Sequence, residues 1–394
     1  MCRTSSFFFK KNHYLCLGNY LTTNSPHQQM YAEQSIQDII FLMLYGGVAM
    51  LALIASLYLC LRRNNGMASD IIPPKALRYW TSAFFMASAL SHVWWFLFGN
   101  HWLTEDRLVR NIIAVTLDHI TLVPLAMAML LRMLQDSNRR IWPWFLAQVP
   151  TVAAACIGIS THNDSSLFLT HYWQGAVILV FIGYYIYALY HYSRWLRENF
   201  ADLEHKEVWQ SLLFVIIVCI IYQAYATNPG DMVREYLSQI NTIAIIAFLL
   251  WRVETLQILE IKKSEQEEEI KETGINTSLH TDIGKMLTDL CENTKFFLQH
   301  DLTLQQLAST LGTNRTYLSK YFSDHGTTYN AYINSLRIEH GIKTYQEAIT
   351  AGRTILAQEL ASDCGFKSYS TFASVFKHLK GQSFTEWAKK QSQQ

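Results

Sequence analysis

The chain has 394 residues, a formal net charge of +1 at pH 7, and 50% hydrophobic against only 16% charged residues. That length holds two or three domains, and so large an apolar excess argues against a protein bathed in water on all sides. The seven cysteines (Cys2, Cys16, Cys60, Cys156, Cys219, Cys291, Cys364) include no close pair, which speaks against a disulfide framework or a zinc site.

Residues 1–37 are polar and aromatic without periodicity and are read as an extracytoplasmic tail; the Phe7–Phe9 run is too short for a signal-peptide core. Met30 is an alternative start to Met1, because an apolar stretch begins soon after it. Seven apolar segments follow within 38–252, at roughly 38–61, 77–98, 110–133, 142–160, 172–192, 209–226 and 236–252. Most approach the ~20 residues that cross a ~30 Å hydrocarbon layer as helix. Arg62, Arg63, Lys75 and Arg78 lie between the first two, and Arg132, Arg139 and Arg140 between the third and fourth. Arg194, Arg197 and Lys206 separate the fifth and sixth, and Arg252, Lys262 and Lys263 follow the seventh. The alternate loops hold only Arg107 with Arg110, then no basic residue, then Arg234. Basic loops face the cytoplasm, so the expected orientation in the cytoplasmic (inner) membrane is N-terminus outside and C-terminus inside. The competing reading, a soluble helical core, has no reason to alternate charge in this way.

Polar groups inside spans are costly and therefore informative. In this orientation His92, Asp118, His119, Gln223, Gln239 and Asn241 all fall in the outer half, near Trp94, Trp95, Trp102 and Trp173. One reading is a ligand pocket open to the outside, with Asp118 paired to a histidine or to a cationic ligand. The other is an interfacial tryptophan belt and polar groups that bond one another between helices. A pocket with this lining suits a lipid, a small hydrophobic molecule or a short peptide; no spacing supports a haem or metal held by His92 and His119.

A linker is expected over 253–281. The run from Trp251 to Lys271 lacks Gly and Pro and is rich in helix formers, which predicts one helix continuing past the membrane until Gly274 breaks it. Val253, Leu256 and Leu259 give a short apolar stripe, either a solvated face or a rod that transmits movement and dimerises.

The last part, 282–394, resumes helical spacing at Ile283, Met286, Leu287 and Leu290, then carries two helix–turn–helix patterns. In the first, Leu304, Leu307, Ala308 and Leu311 share a face and Gly312 supplies the turn. Asn314 caps a second helix whose Leu318, Tyr321 and Phe322 point inward, leaving Arg315, Thr316, Tyr317 and Lys320 outside. In the second, a helix closes at Cys364 and Gly365. The next helix turns Phe372, Val375 and Phe376 inward and leaves Lys367, Ser370, Thr371, Ser374 and Lys377 for the outer face. A connecting helix offers Tyr332, Ile333, Leu336 and Ile338 for packing.

Tyr332, Ile333, Asn334, Leu336, Arg337 and Ile338, followed by Gly365, Phe366, Tyr369, Phe372, Phe376, Lys377 and Gly381, resemble the DNA-binding domain of the AraC/XylS family of transcription regulators, over about 287–390. Ala357 stands where the family usually has isoleucine, and Phe384 and Ala388 replace its customary proline and arginine. The resemblance implies two recognition helices, 313–322 and 367–378, entering successive major grooves with the nine outer residues named above as contacts.

The expected fold class is all-α: a polytopic helical membrane bundle of about seven spans followed by a cytoplasmic tandem helix–turn–helix domain. The expected function is a membrane-integral, one-component transcription regulator. Its expected partners are double-stranded DNA, membrane lipid, a hydrophobic or peptide ligand, and a second copy of the chain as a homodimer on DNA. No phosphate-binding glycine loop, nucleophile elbow or phosphotransfer pattern is present, so no catalytic residue, cofactor or metal is assigned. The alternative is a transporter or enzyme carrying an autoregulatory DNA-binding module, with His92, Asp118 and His119 as a proton relay or catalytic group; a third reading makes the spans a mere anchor.

Overall fold

The computed structural model describes residues 36–62, 65–66, 71–100, 103–163, 165–226, 232–259 and 280–391. The N-terminal tail with Met30, the linker residues 260–279 and the side chain of Gln223 lie outside the described residues. The chain divides into two compact units, Met1–Leu189 with Val208–Leu259, and Tyr190–Glu207 with Glu260–Gln394.

The first unit is helical because long apolar runs satisfy their backbone groups internally. Its helices are α1 (Ile36–Leu61), α2 (Lys75–Gly99), α3 (Arg107–Met133), α4 (Trp142–Leu146), α5 (Val149–Thr161), most of α6 (Ser165–Asn199), α7 (Trp209–Ala226) and α8 (Met232–Thr255). Among the described residues, six stretches are long and apolar enough to cross a membrane: α1, α2, α3, α4 with α5, α6, and Glu235–Thr255 of α8. The charge alternation predicts a seventh, and α7 is its counterpart; its described apolar part is the shorter Trp209–Val218. At 18 residues α7 extends about 27 Å, close to the ~30 Å of a hydrocarbon layer. The fourth stretch is interrupted between α4 and α5, where Pro150 cannot donate a helical hydrogen bond.

Within this unit α1 packs on α2, α2 on α3, and α3 on α5, while α8 packs against α1, α2 and α7. Val48, Ala52, Leu77, Phe85, Ile112 and Leu249 are buried between helices. Met43, Ile54, Leu179 and Val180 remain exposed. Ser56 and Ser82 donate reciprocally to each other's carbonyl oxygens at 2.8 and 2.9 Å, and Gln174 Nε2 donates to Thr151 Oγ1 at 2.8 Å. Such bonds hold helices together where apolar attraction between them is weak.

Helix propensity predicts that α8 continues toward Lys271; instead it ends at Thr255. Tertiary pairing overrides propensity here. Leu256 is fully buried, Ile258 N–H donates to Ile72 O at 2.7 Å, and Leu259 N–H donates to the Gln135 side chain at 2.9 Å. The rod reading therefore loses its first turn at least; the rest of the linker is outside the described residues.

In the second unit the end of α6 and the segment to Glu207 join α9 (His280–Leu287), α10 (Leu304–Thr310), α11 (Arg315–Asp324), α12 (Tyr329–Thr350), α13 (Ala357–Asp363), α14 (Tyr369–Lys380) and α15 (Phe384–Gln391). Two apolar cores form on either half of α12. One gathers Ile283, Leu287, Leu302, Leu307, Leu318, Phe322 and Ile333. The other gathers Ile338, Leu360, Phe366, Phe372, Phe376 and Phe384. Phe384, at a position where the family carries proline, fills a cage of Tyr345, Phe372, Phe376 and Trp387 rings at 5.1–5.8 Å. The departure is thus an aromatic plug that fastens α15.

Candidate nucleic-acid interface

Each helix–turn–helix is set by local chemistry. Thr303 and Gln306 form a reciprocal capping box at the start of α10. Leu304, Leu307, Ala308 and Leu311 are all buried, and Gly312 turns the chain with φ +65°. Asn314 Oδ1 accepts from the Tyr317 N–H at 2.9 Å, which starts α11. Leu318 and Phe322 point into the core, whereas Thr316, Tyr317 and Lys320 are exposed and Arg315 is half-buried. In the second copy α13 ends at Asp363, Gly365 turns with φ +83°, and Ser368 caps α14 through the Thr371 N–H. Lys367, Ser370, Ser374 and Lys377 are exposed, and Thr371 is half-buried.

Arg337 joins the two halves. It is fully buried on α12, donates from Nε to Phe297 O at 2.8 Å and from Nη2 to Gln299 O at 2.7 Å, and lies 5.4 Å over the Phe366 ring. Its role is to tie loop to helix. Cys364 is buried against Gly341, where an added Cβ would come within 2.9 Å of its sulfur. Burial pushes the Cys364 and Cys291 thiols up to about 12, so both are neutral packing groups.

These two capped helix pairs share one connecting helix, and residues 307–390 match the model of the helix-turn-helix domain family. The C-terminal domain is an AraC-type helix–turn–helix domain. It is 28% identical over 109 residues to the HTH-type transcriptional regulator GadX of Escherichia coli O6:H1, a match covering 28% of this chain and 38% of that protein. Over 101 residues it is 29% identical to uncharacterized HTH-type transcriptional regulators of Staphylococcus aureus strains COL and N315. That match covers 25% of this chain and spans only 12% of their length. No solved structure matches the chain.

Of the nine outer residues, several interact inside the AraC-type domain's own unit, Ser370 among them, its Oγ 2.8 Å from Ser368 Oγ. Lys367 forms an ion pair with Asp301, Thr371 Oγ1 donates to Glu204 at 2.9 Å, and burial holds the Arg315 guanidinium below its ordinary value while the Glu198 carboxylate opposes that shift. Asp301 also holds Lys206 at 3.2 Å. Burial raises the Asp301 carboxyl, but Lys367 and Lys206 more than offset this and leave it below the usual carboxylate range.

In the N-terminal helices, Asp118 accepts from Ser91 Oγ at 2.6 Å and Trp95 Nε1 at 2.7 Å, so both oxygens are taken without a histidine. His92 Nδ1 meets Ser88 O at 2.8 Å, and its Nε2 meets the Gln239 amide at 3.1 Å. A carbonyl only accepts, so Nδ1 carries the proton; the Gln239 atom that faces Nε2 is the amide oxygen Oε1, and reversing that amide would present its NH2 instead. The Tyr45 ring packs on His92 at 4.7 Å, and its hydroxyl donates to His92 O. His119 Nδ1 is buried without a hydrogen-bond partner among the described residues, and Asn241 is half-buried two residues beyond Gln239 on α8. The structure thus brings His92 and Gln239 together, with Ser91, Trp95 and Asp118 bonded alongside; residue types and depth alone did not point to Ser91 or Tyr45. Among the described residues no group of three or more His, Cys, Asp and Glu is arranged to hold a metal ion.

Proposed function

We propose that the chain is a membrane-integral, one-component transcription regulator: the N-terminal helices sense a signal, and the AraC-type domain binds duplex DNA. The observation that carries this reading is one chain holding both six helices long and apolar enough to cross a membrane and a helix–turn–helix domain. Alternating basic loops support a cytoplasmic C-terminus in the inner membrane, and seven spans, α7 included, deliver the domain to the compartment that holds DNA. α11 and α14 act as recognition helices in successive major grooves. Arg315, Thr316, Tyr317 and Lys320 from the first, and Lys367, Ser370, Thr371, Ser374 and Lys377 from the second, divide between base edges and phosphates. Two protomers on one operator raise the effective concentration of each reader, which suits a domain of modest positive charge.

Genome-wide occupancy of the full-length protein in its own membrane tests this. Discrete sites are expected that fade in a Ser374→Ala, Lys377→Ala double variant, two contacts of about 1–3 kcal/mol each. Absence of enriched sites across several growth conditions would refute the regulator. The sensing role has its own test. Asp118→Asn with His92→Ala is expected to change signal-dependent transcription; unaltered transcription would reduce the N-terminal helices to an anchor.

A further inference from the structure

The segment Phe200–Glu207, between α6 and α7, is acidic and belongs to the same compact unit as the AraC-type domain. It is fastened there by its backbone. Ala201 is buried in the core beside Leu302 and Ile333, its N–H donates to Leu302 O at 3.2 Å, and Phe200 bridges Thr303. The Asn330 amide donates to the carbonyls of Phe200 and Ala201 at 3.1 and 2.6 Å, and Asn334 adds a bond to Ala201 O at 3.1 Å. Lys206, buried, is held by Asp301.

This fastening sets one carboxylate, Glu204, against the start of α14. Ser368 Oγ and Thr371 Oγ1 both donate to Glu204 Oε2, at the N-terminus of α14. Glu198, on the last turn of α6, is ion-paired with Arg194 at 2.8 Å, and its charge favours the protonated Arg315 at the start of α11. A carboxylate that takes hydroxyl donors at a helix N-terminus satisfies groups that a phosphate oxygen would need.

We infer that the Phe200–Glu207 segment is a built-in competitor of DNA, with Glu204 occupying the phosphate-facing start of α14, so that this conformation is the closed form of the regulator. The inference rests on the reading of α11 and α14 as DNA-facing. It also supplies a route for the signal: α6 runs unbroken from Ser165 to Asn199, so a turn or shift of that helix passes directly to Phe200 and Glu204 along the backbone.

The test is fluorescence anisotropy of the full-length protein in detergent micelles with a labelled mixed-sequence duplex of about 40 base pairs, long enough for successive major grooves. Glu204→Gln and Glu204→Ala are compared with the wild type, with Ser374→Ala, Lys377→Ala, and with Glu359→Gln, which removes the same charge from an exposed face of α13. Both Glu204 variants should bind about tenfold tighter, the scale of one lost competing bond, while Glu359→Gln stays within about twofold of wild type. If the Glu204 variants bind like wild type while the double variant weakens, the competitor is overturned and the DNA reading stands. An equal gain in Glu359→Gln also overturns it, as general charge removal. If no variant binds duplex better than the double variant, the DNA reading fails and the competitor falls with it.

Discussion

Replacing Gly365 by alanine is expected to disrupt the folded AraC-type domain. Two effects coincide there. The residue sits at φ +83°, a conformation that an L side chain enters at a cost of roughly 1–2 kcal/mol. A Cβ would also stand 2.4 Å from Leu298 O and 2.8 Å from Leu298 C, and backbone atoms cannot rotate aside. Leu298 cannot retreat cheaply, because the carbonyls on either side of it, at Phe297 and Gln299, are those that Arg337 holds. The combined loss should exceed about 3 kcal/mol, beyond the ordinary range for a point substitution. Gly312→Ala is the internal comparison, since it has φ +65° but nothing within 4 Å of the new methyl. Hydrogen exchange over 302–390 in the full-length protein should show protection lost in Gly365→Ala and merely reduced in Gly312→Ala. Equal protection in the two variants would mean that the 296–299 turn moves freely.

Arg337→Ala is the second substitution with a large expected effect, about 3–5 kcal/mol. The side chain is fully buried, and burial holds its pKa below the ordinary value, yet guanidinium stays charged at any pH a cell reaches. Its charge is met by two carbonyls, by the face of Phe366 and by the fields of Asp202 and Asp301. Truncation leaves the two carbonyls dry and a void between both cores. Arg337→Lys should recover little, because an ammonium cannot fork to Phe297 and Gln299 together. Denaturant unfolding of the full-length protein, followed by the fluorescence of Trp387, reads the loss; a midpoint close to wild type in Arg337→Ala would contradict this role. DNA occupancy should fall in parallel.

How much of this was legible depended on distance along the chain. The turns at Gly312 and Gly365 and the cap at Asn314 are written within a few residues of the helices they punctuate, and the structure forms them there. Thr303 and Gln306 carry the same kind of local signal and were readable as a capping box. The place of Phe384 was not, because its cage includes Tyr345 on another helix. Nor was the stop of α8 at Thr255. Propensity over 251–271 favours helix, but Ile72 and Gln135, far back in the sequence, take up the amides that a helix would use. In the N-terminal helices the costly residues, His92 and Asp118, stood out by type. Ser56 and Ser82 bond just as firmly, yet serine is unremarkable in an apolar run. Glu204 lies 164 residues before Ser368, and no local pattern connects them.

The seating of Ala201 in the core of the first helix–turn–helix has a consequence for genetics. The coding sequence for this unit is discontinuous: part of its hydrophobic interior is encoded ahead of α7 and α8, and the rest after them. A gene fragment beginning in the linker would encode a reader with an unfilled site beside Leu302 and with the Asn330 and Asn334 amides left facing solvent. Recombination that exchanged sensors between such regulators by a single crossover at the linker would pair one parent's strap with the other's helices. A workable chimera needs two junctions, and Phe200–Glu207 must travel with the C-terminal parent.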